Sequence, residues 1–157
     1  MTTLHLLCGK IASGKSTRAH ALADEQAAIL ISEDRWLAAL YPDEIRSVSD
    51  YVQRARRIRG VLEPLVISLL KADNNVVLDF PANTVADRAW LRGLADQAGV
   101  QHRLHFLDVD DQTCLERLRA RNAQGGHDFA ATDREFEVIT SYFRAPEDDE
   151  GLVVVTD

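Results

Sequence analysis

Apolar and polar positions follow two rhythms along the chain. Short apolar runs at Leu4 to Cys8, Ala28 to Ile31, Val76 to Leu78, Leu104 to Leu107 and Leu152 to Val155 have strand length, and the longer stretches between them have helical spacing. Five strands separated by helices predict a parallel sheet, because parallel neighbours need a crossover and the crossover helix packs on the sheet. Lys15 to Ala27 is rich in Ala without a breaker and predicts the first such helix. Thr84, with Asp87 three residues on, starts another. Asp110 caps a helix predicted through Asn122, and Thr132-Asp133-Arg134-Glu135 is a capping box opening a helix to about Tyr142. The Gln124-Gly125-Gly126-His127 segment between them reads as a flexible loop inside a lid at about residues 122–133.

Between the second and third strands lies a helical insert, about residues 33–73, too long for a bare crossover. It carries one helix from Ser32 and a longer one from about Ser49 to Ala72. On a helical wheel Tyr51, Ala55, Ile58, Leu62, Leu65 and Leu69 share a face, with Arg54 at its edge and Arg57 beyond. Pro64 predicts a kink or the start of a second helix. The acidic run Glu147 to Glu150 reads as a solvated turn into the last strand. No internal repeat or linker interrupts residues 1–157, so one domain is expected.

Composition narrows the function classes. With 25 acidic and 18 Lys+Arg residues the formal charge is −7, the wrong sign for coating nucleic acid through phosphate contacts. The longest apolar stretch, Val61 to Leu70, is interrupted by Glu63 and Pro64, and the first apolar run is too short for a signal peptide, so no membrane association is expected. Cys8 and Cys114 form neither a C-x-x-C pair nor a disulfide framework, which suits a reducing cytoplasm. His5, His20, His102, His105 and His127 fall at no metal-ligand spacing and read as incidental. Trp36 and Trp90 read as core, Trp36 being the better placed to contact a ligand.

Only three basic residues are lysines, and two of them, Lys10 and Lys15, sit in one short glycine-bearing loop. Gly9-Lys10-Ile11-Ala12-Ser13-Gly14-Lys15-Ser16 matches G-x-x-x-x-G-K-[ST] between a predicted strand and a predicted helix, the context a phosphate-binding P-loop requires. Gly9, Lys10, Ala12, Ser13, Gly14, Lys15, Ser16 and Thr17 are therefore the expected nucleotide-binding residues. Loop N–H groups and the positive helix end converge on the β-phosphate, Lys15 bridges the β- and γ-phosphates, Ser16 offers its hydroxyl to Mg²⁺, and Thr17 meets the α-phosphate.

The guanine-reading N-K-x-D is absent, which turns the reading from a GTPase toward a small kinase using ATP. Asp34, just after the second strand, can orient an acceptor hydroxyl and take its proton, or simply cap a helix, as Ser32 can. Asp79, closing Val76-Val77-Leu78, is the expected second-sphere Mg²⁺ residue, preferred over Asp108 because the third strand should lie beside the P-loop strand. Arg117 and Arg121, four apart on one helix flank, can clamp phosphates from a lid. Of Arg54, Arg56, Arg57 and Arg59, only Arg54 and Arg57 lie where an anionic acceptor can be gripped.

The segments GKIASGKST, ISEDRW, VVLDFPANTVADR, CLERLRARN and YFRAPEDDEG together resemble the small P-loop kinases that group with phage polynucleotide kinase, chloramphenicol phosphotransferase and zeta toxins. The resemblance covers nearly the whole length. It implies a three-layer α/β/α fold with a five-stranded parallel sheet in the order 2-3-1-4-5, as in nucleoside-monophosphate kinases. It further implies that Asp34 acts on the acceptor hydroxyl, that Arg35 helps hold the acceptor, and that Arg121, preceding an Asn, serves in the lid. Relatives commonly read Asp-x-Thr-Asn after the third strand, whereas this chain has Asp79-Phe80-Pro81-Ala82-Asn83-Thr84. The expected activity is transfer of the γ-phosphoryl of ATP to a hydroxyl of a small-molecule or nucleotide-like acceptor. A polynucleotide 5′-hydroxyl and an ATP-binding switch or toxin-type module are the alternatives.

Overall fold

The computed structural model describes residues 1–125 and 131–156. Strands β1 (Thr3–Gly9), β2 (Ile29–Ser32), β3 (Val76–Asp79), β4 (Gln101–Leu107) and β5 (Val154–Thr156) form one parallel sheet in the order β2-β3-β1-β4-β5, as expected. Helices α1 (Lys15–Glu25), α2 (Glu33–Leu40), α3 (Val48–Lys71), α4 (Val85–Ala98), α5 (Asp111–Gln124) and α6 (Asp133–Ser141) surround it, with a 3₁₀ turn at Asp148–Glu150. Gly126 and His127, the centre of the expected lid, lie outside the described residues.

The alternation of strand side chains explains the layers. Leu4, Leu6, Cys8, Val76, Leu78 and Leu104 pack against α3 and α4 through Ile58, Leu62, Val66, Leu70, Leu91 and Leu94. Leu7 and Val77 face the other way, onto Ala19 and Leu22 of α1. All seven residues of β1 are buried, because this central strand is covered on both faces. Each fully buried Leu contributes about 1.5–3 kcal/mol of transfer free energy. The P-loop strand is thereby the most firmly held element of the sheet.

Four readings need correction: the second-helix alternative at Pro64, the buried face of α3 beyond it, the start of the last strand and the acidic run. Helix α3 runs unbroken through Pro64, so no second helix begins there. The carbonyl that loses its partner belongs to Gly60, on an exposed turn where water can serve it. The buried stripe then advances by one residue: Val66 and Leu70 are inside, while Leu65 is 44% exposed. The last strand begins at Val154 rather than Leu152, because the Val153 N–H donates to His102 Nε2 (3.1 Å) and is lost to the ladder. The acidic run is not wholly solvated. Glu150 pairs with Arg88, a fully buried side chain that also donates to the carbonyls of Ala82 and Arg144.

Candidate active site

The carboxyl ends of β1, β2 and β3 bring the chemistry-bearing residues together. Gly9 closes β1, and a Cβ at this position would collide with Ser13 Oγ and approach Leu107 O to 3.2 Å, so only glycine lets the loop fold back. Gly14 adopts φ 101°, a left-handed conformation that a side chain disfavours, and from it α1 starts. Helices α2 to α6 are each capped by a side chain, from Ser32, Ser47, Thr84, Asp110 and Thr132. Helix α1 has no such cap. Its first-turn N–H groups, with the helix dipole, form an anion-binding end, and the buried Ser13 Oγ beside them has no hydrogen-bond partner among the described residues.

Lys15 Nζ donates to Gly9 O (2.8 Å). Burial pushes the ammonium pKa down, while the charges of Asp79 and Asp34 act to hold it up. Ser16 Oγ donates to Asp79 Oδ2 at 2.8 Å, so the two residues read as a Mg²⁺ pair meet across the end of the sheet. A hydroxyl and a carboxylate suit a hard cation that keeps several waters and takes further oxygens from phosphate. Among the described residues no group of three His, Cys, Asp or Glu side chains can hold a metal by protein ligands alone. Thr17, at the exposed start of α1, follows.

Asp34 is exposed at the start of α2, and its charge acts on both Lys15 and Tyr51. It therefore lies within electrostatic reach of both the P-loop lysine and α3. Its neighbour Glu33 points the other way and is fully buried: Tyr51 Oη donates to Glu33 Oε1 at 2.5 Å, and Arg59 Nε lies 3.5 Å from Oε2. Burial pushes the Glu33 carboxyl pKa up, against the opposing Tyr51 hydrogen bond and Arg59 charge. Arg59 also binds Asp87 (3.2 Å) and stacks on Trp90, 4.9 Å from its centroid. This cluster was not foreseen, although Glu33 and Leu37 are four apart on one face of α2, the signal that Glu33 faces inward.

The other sequence-derived residues separate. Arg117 Nη1 donates to Ser13 O (3.3 Å), which brings α5 to the P-loop. Arg121 is half-buried one turn on, and its Nε has no hydrogen-bond partner among the described residues. Lys10 turns away from the loop, pairing with Asp111 (2.7 Å), donating to Val109 O and lying 5.8 Å from the Phe143 centroid. The Asp111 contact raises its pKa. Arg35 and Arg57 are exposed, while Arg54 stacks over Tyr41 at 5.1 Å. Asp108 is exposed and close enough to act electrostatically on Lys10, and Trp36 packs against the core. A groove of about 370 Å³ between α5 and α6, lined by Leu115, Phe136 and Thr140 among others, shares no residue with the P-loop and is set apart from this chemistry.

A glycine-tight loop, an uncapped helix start and a contact between Ser16 in the first turn of α1 and Asp79 at the end of β3 make a nucleotide-phosphate site, and family comparison agrees: residues 4–146 match AAA_33, described as an AAA domain. The chain belongs to the AAA_33 family. No curated protein matches it by sequence. This AAA_33 domain is similar in structure to a candidate kinase from Chloroflexus aurantiacus J-10-fl, with TM-score 0.77 and 19% identity over 99% of this chain and 84% of the other. It is similar to the Mycobacterium tuberculosis APS kinase CysC in complex with AMPPNP and APS (TM-score 0.64, 21% identity, 99% and 88% covered). It is also similar to a gluconokinase from Sinorhizobium meliloti 1021 (TM-score 0.59, 18% identity, 99% and 82% covered). The AAA_33 domain thus has the P-loop fold that small kinases share. Among the described residues no helix is long and apolar enough to cross a membrane.

Proposed function

We propose that this AAA_33 domain is an ATP-dependent phosphotransferase that moves the γ-phosphoryl of ATP to a hydroxyl of a small-molecule acceptor. The observation that carries the reading is the Ser16–Asp79 contact of 2.8 Å beside an uncapped α1. The kinase neighbours and the resemblance to the polynucleotide kinase, chloramphenicol phosphotransferase and zeta toxin group support it.

Ser16 and Asp79 would hold Mg²⁺, which supplies charge neutralisation on the β- and γ-phosphates when bound. The loop amides and Lys15 bind and orient the phosphates. Asp34 accepts the proton of the acceptor hydroxyl as its oxygen bonds to the γ-phosphorus and the bond to the β–γ bridging oxygen breaks, releasing ADP. Arg117 and Arg121 stabilise the charge that spreads over the transferring group, since a planar, permanently charged guanidinium suits it. The α2–α3 insert offers the acceptor side.

The test is Asp34→Asn, read by ADP release across a panel of sugars, sugar acids, nucleosides, antibiotics and 5′-hydroxyl oligonucleotides. Transfer is expected to fall by about 10²–10⁴-fold with Mg·ATP affinity retained, since Asn keeps the shape and loses the basicity. Near-normal transfer leaves Asp34 as surface only, and loss of Mg·ATP affinity moves it to the metal. ADP release that no acceptor stimulates would make the protein an ATP-binding module.

A further inference from the structure

The arginines of α3 divide into two kinds. Arg59 is engaged inside the fold with Glu33, Asp87 and Trp90. Arg54 lies on the opposite flank of the helix, three residues after Tyr51, and packs its guanidinium over the Tyr41 ring beyond the end of α2. Among the described residues Arg54 has no ion-pair or hydrogen-bond partner, and its Nε is out of contact with water and unsatisfied. Asp50, one turn before it, accepts instead from the Arg46 backbone N–H at 3.1 Å. In a chain of net charge −7, a half-buried guanidinium with no carboxylate partner among the described residues is unusual, and its charge is free to pair with an arriving anion. Arg57, exposed and without a partner among the described residues, continues the same flank one turn on.

Place is the second consideration. Asp34 acts electrostatically on Tyr51, and Tyr51 and Arg54 share a flank. Stacking on Tyr41 holds the guanidinium against the ring, and a guanidinium so held can offer its terminal N–H groups to an oxyanion in a planar contact. From this we infer that the Arg54 flank of α3 is an anion subsite, and that the acceptor is a small alcohol carrying a phosphate, sulfate or carboxylate group. The inference rests on the kinase reading and adds the acceptor's charge class to it. The overall negative charge favours a small anion over a polynucleotide chain, whose many phosphates would meet repulsion beyond this flank.

Two measurements separate the subsite from the reaction. In the first, inorganic phosphate is titrated by calorimetry into the protein saturated with Mg·AMP-PNP, so that the P-loop is filled. Wild type should bind phosphate, Arg54→Gln should weaken it at least about tenfold, and AMP-PNP affinity should not change. Arg54→Lys, which keeps the charge and loses the fork, should fall between and guards against a folding defect in Arg54→Gln. Equal binding by all three proteins, or none by wild type, overturns the subsite. In the second, matched acceptors are compared: gluconate against glucose, and adenosine 3′-phosphate against adenosine. The anionic member should be favoured at least about tenfold in kcat/KM, and Arg54→Gln should erase the preference through KM. Equal use of neutral members overturns the anionic class while the kinase reading stands. Preference for oligonucleotides over every small anion overturns it in favour of a polynucleotide. Arg54-dependent phosphate binding without transfer to any acceptor supports the subsite and defeats the kinase reading.

Discussion

Lys15 Nζ donates to Gly9 O, and on the proposed reading this is the contact a phosphate would replace, with the cation serving both binding and chemistry. Lys15→Ala is expected to abolish transfer and to weaken Mg·ATP binding by about 1.5–3 kcal/mol, read by calorimetry; unchanged affinity would remove Lys15 from the site. A second residue-scale prediction comes from His5 Nδ1 and His105 Nε2, 3.0 Å apart and both buried beneath α1. Burial first, then the charges of His105, Arg103 and Arg18, lower the His5 pKa from 6.5 to about 4. Between those values the unfolded chain binds more protons than the folded one, so stability falls as pH drops from 6.5 toward 4, by at most about 1.4 kcal/mol per pH unit from this residue. Chemical denaturation across this range should show the decline, and His5→Gln should flatten it. The motif residues Lys15, Ser16 and Asp79 were legible in sequence because their spacing encodes their place. Glu33, by contrast, was passed over for its neighbour Asp34, because two adjacent carboxylates look alike until a helix turns one inward.

At the scale of elements, Arg88 fastens α4 to the segment after α6. Its guanidinium meets both Glu150 oxygens, at 2.8 and 3.1 Å, and the carbonyls of Ala82 and Arg144. Arg88→Met should cost about 3–5 kcal/mol by urea denaturation, since it strands a carboxylate and two carbonyls away from water. Arg88 holds the Glu150 carboxyl below its usual pKa, so this stabilisation is present above the ordinary carboxylate range and is lost as pH falls through the lowered value. A loss under about 1 kcal/mol in Arg88→Met would mean the latch is open in solution. Helix α5 carries the next expectation. On the proposed reading Arg121→Ala should lower kcat with little effect on ATP affinity, because a guanidinium that clamps the transferring group acts most where charge spreads in the transition state. An equal rise in Kd for ATP would make it a binding residue instead. The α4, α5 and α6 starts were read correctly from Thr84, Asp110 and Thr132, since capping is local chemistry. The inner face of α3 after Pro64 was not, because which of Leu65 and Val66 is buried depends on the sheet beneath.

For the molecule as a whole, the P-loop begins α1 and ends the central strand, so filling it should stabilise the entire fold. At 100 times its Kd, Mg·ATP should add about 2.7 kcal/mol and raise Tm by several degrees, an effect reduced by EDTA and largely absent in Lys15→Ala. A Tm indifferent to nucleotide would contradict the site. The sequence by itself determined the strands, the helix starts and the phosphate loop, because hydrophobic period, capping and glycine placement act over a few residues, while the strand order was legible only through the family resemblance. It did not determine which charged side chains go inside. Glu33 and Arg88 are buried because partners 26 and 62 residues away, Arg59 for Glu33 and Glu150 for Arg88, arrive to meet them. Only the packed sheet and helices bring such partners within hydrogen-bonding distance, and only there does a charge lose water without prohibitive cost.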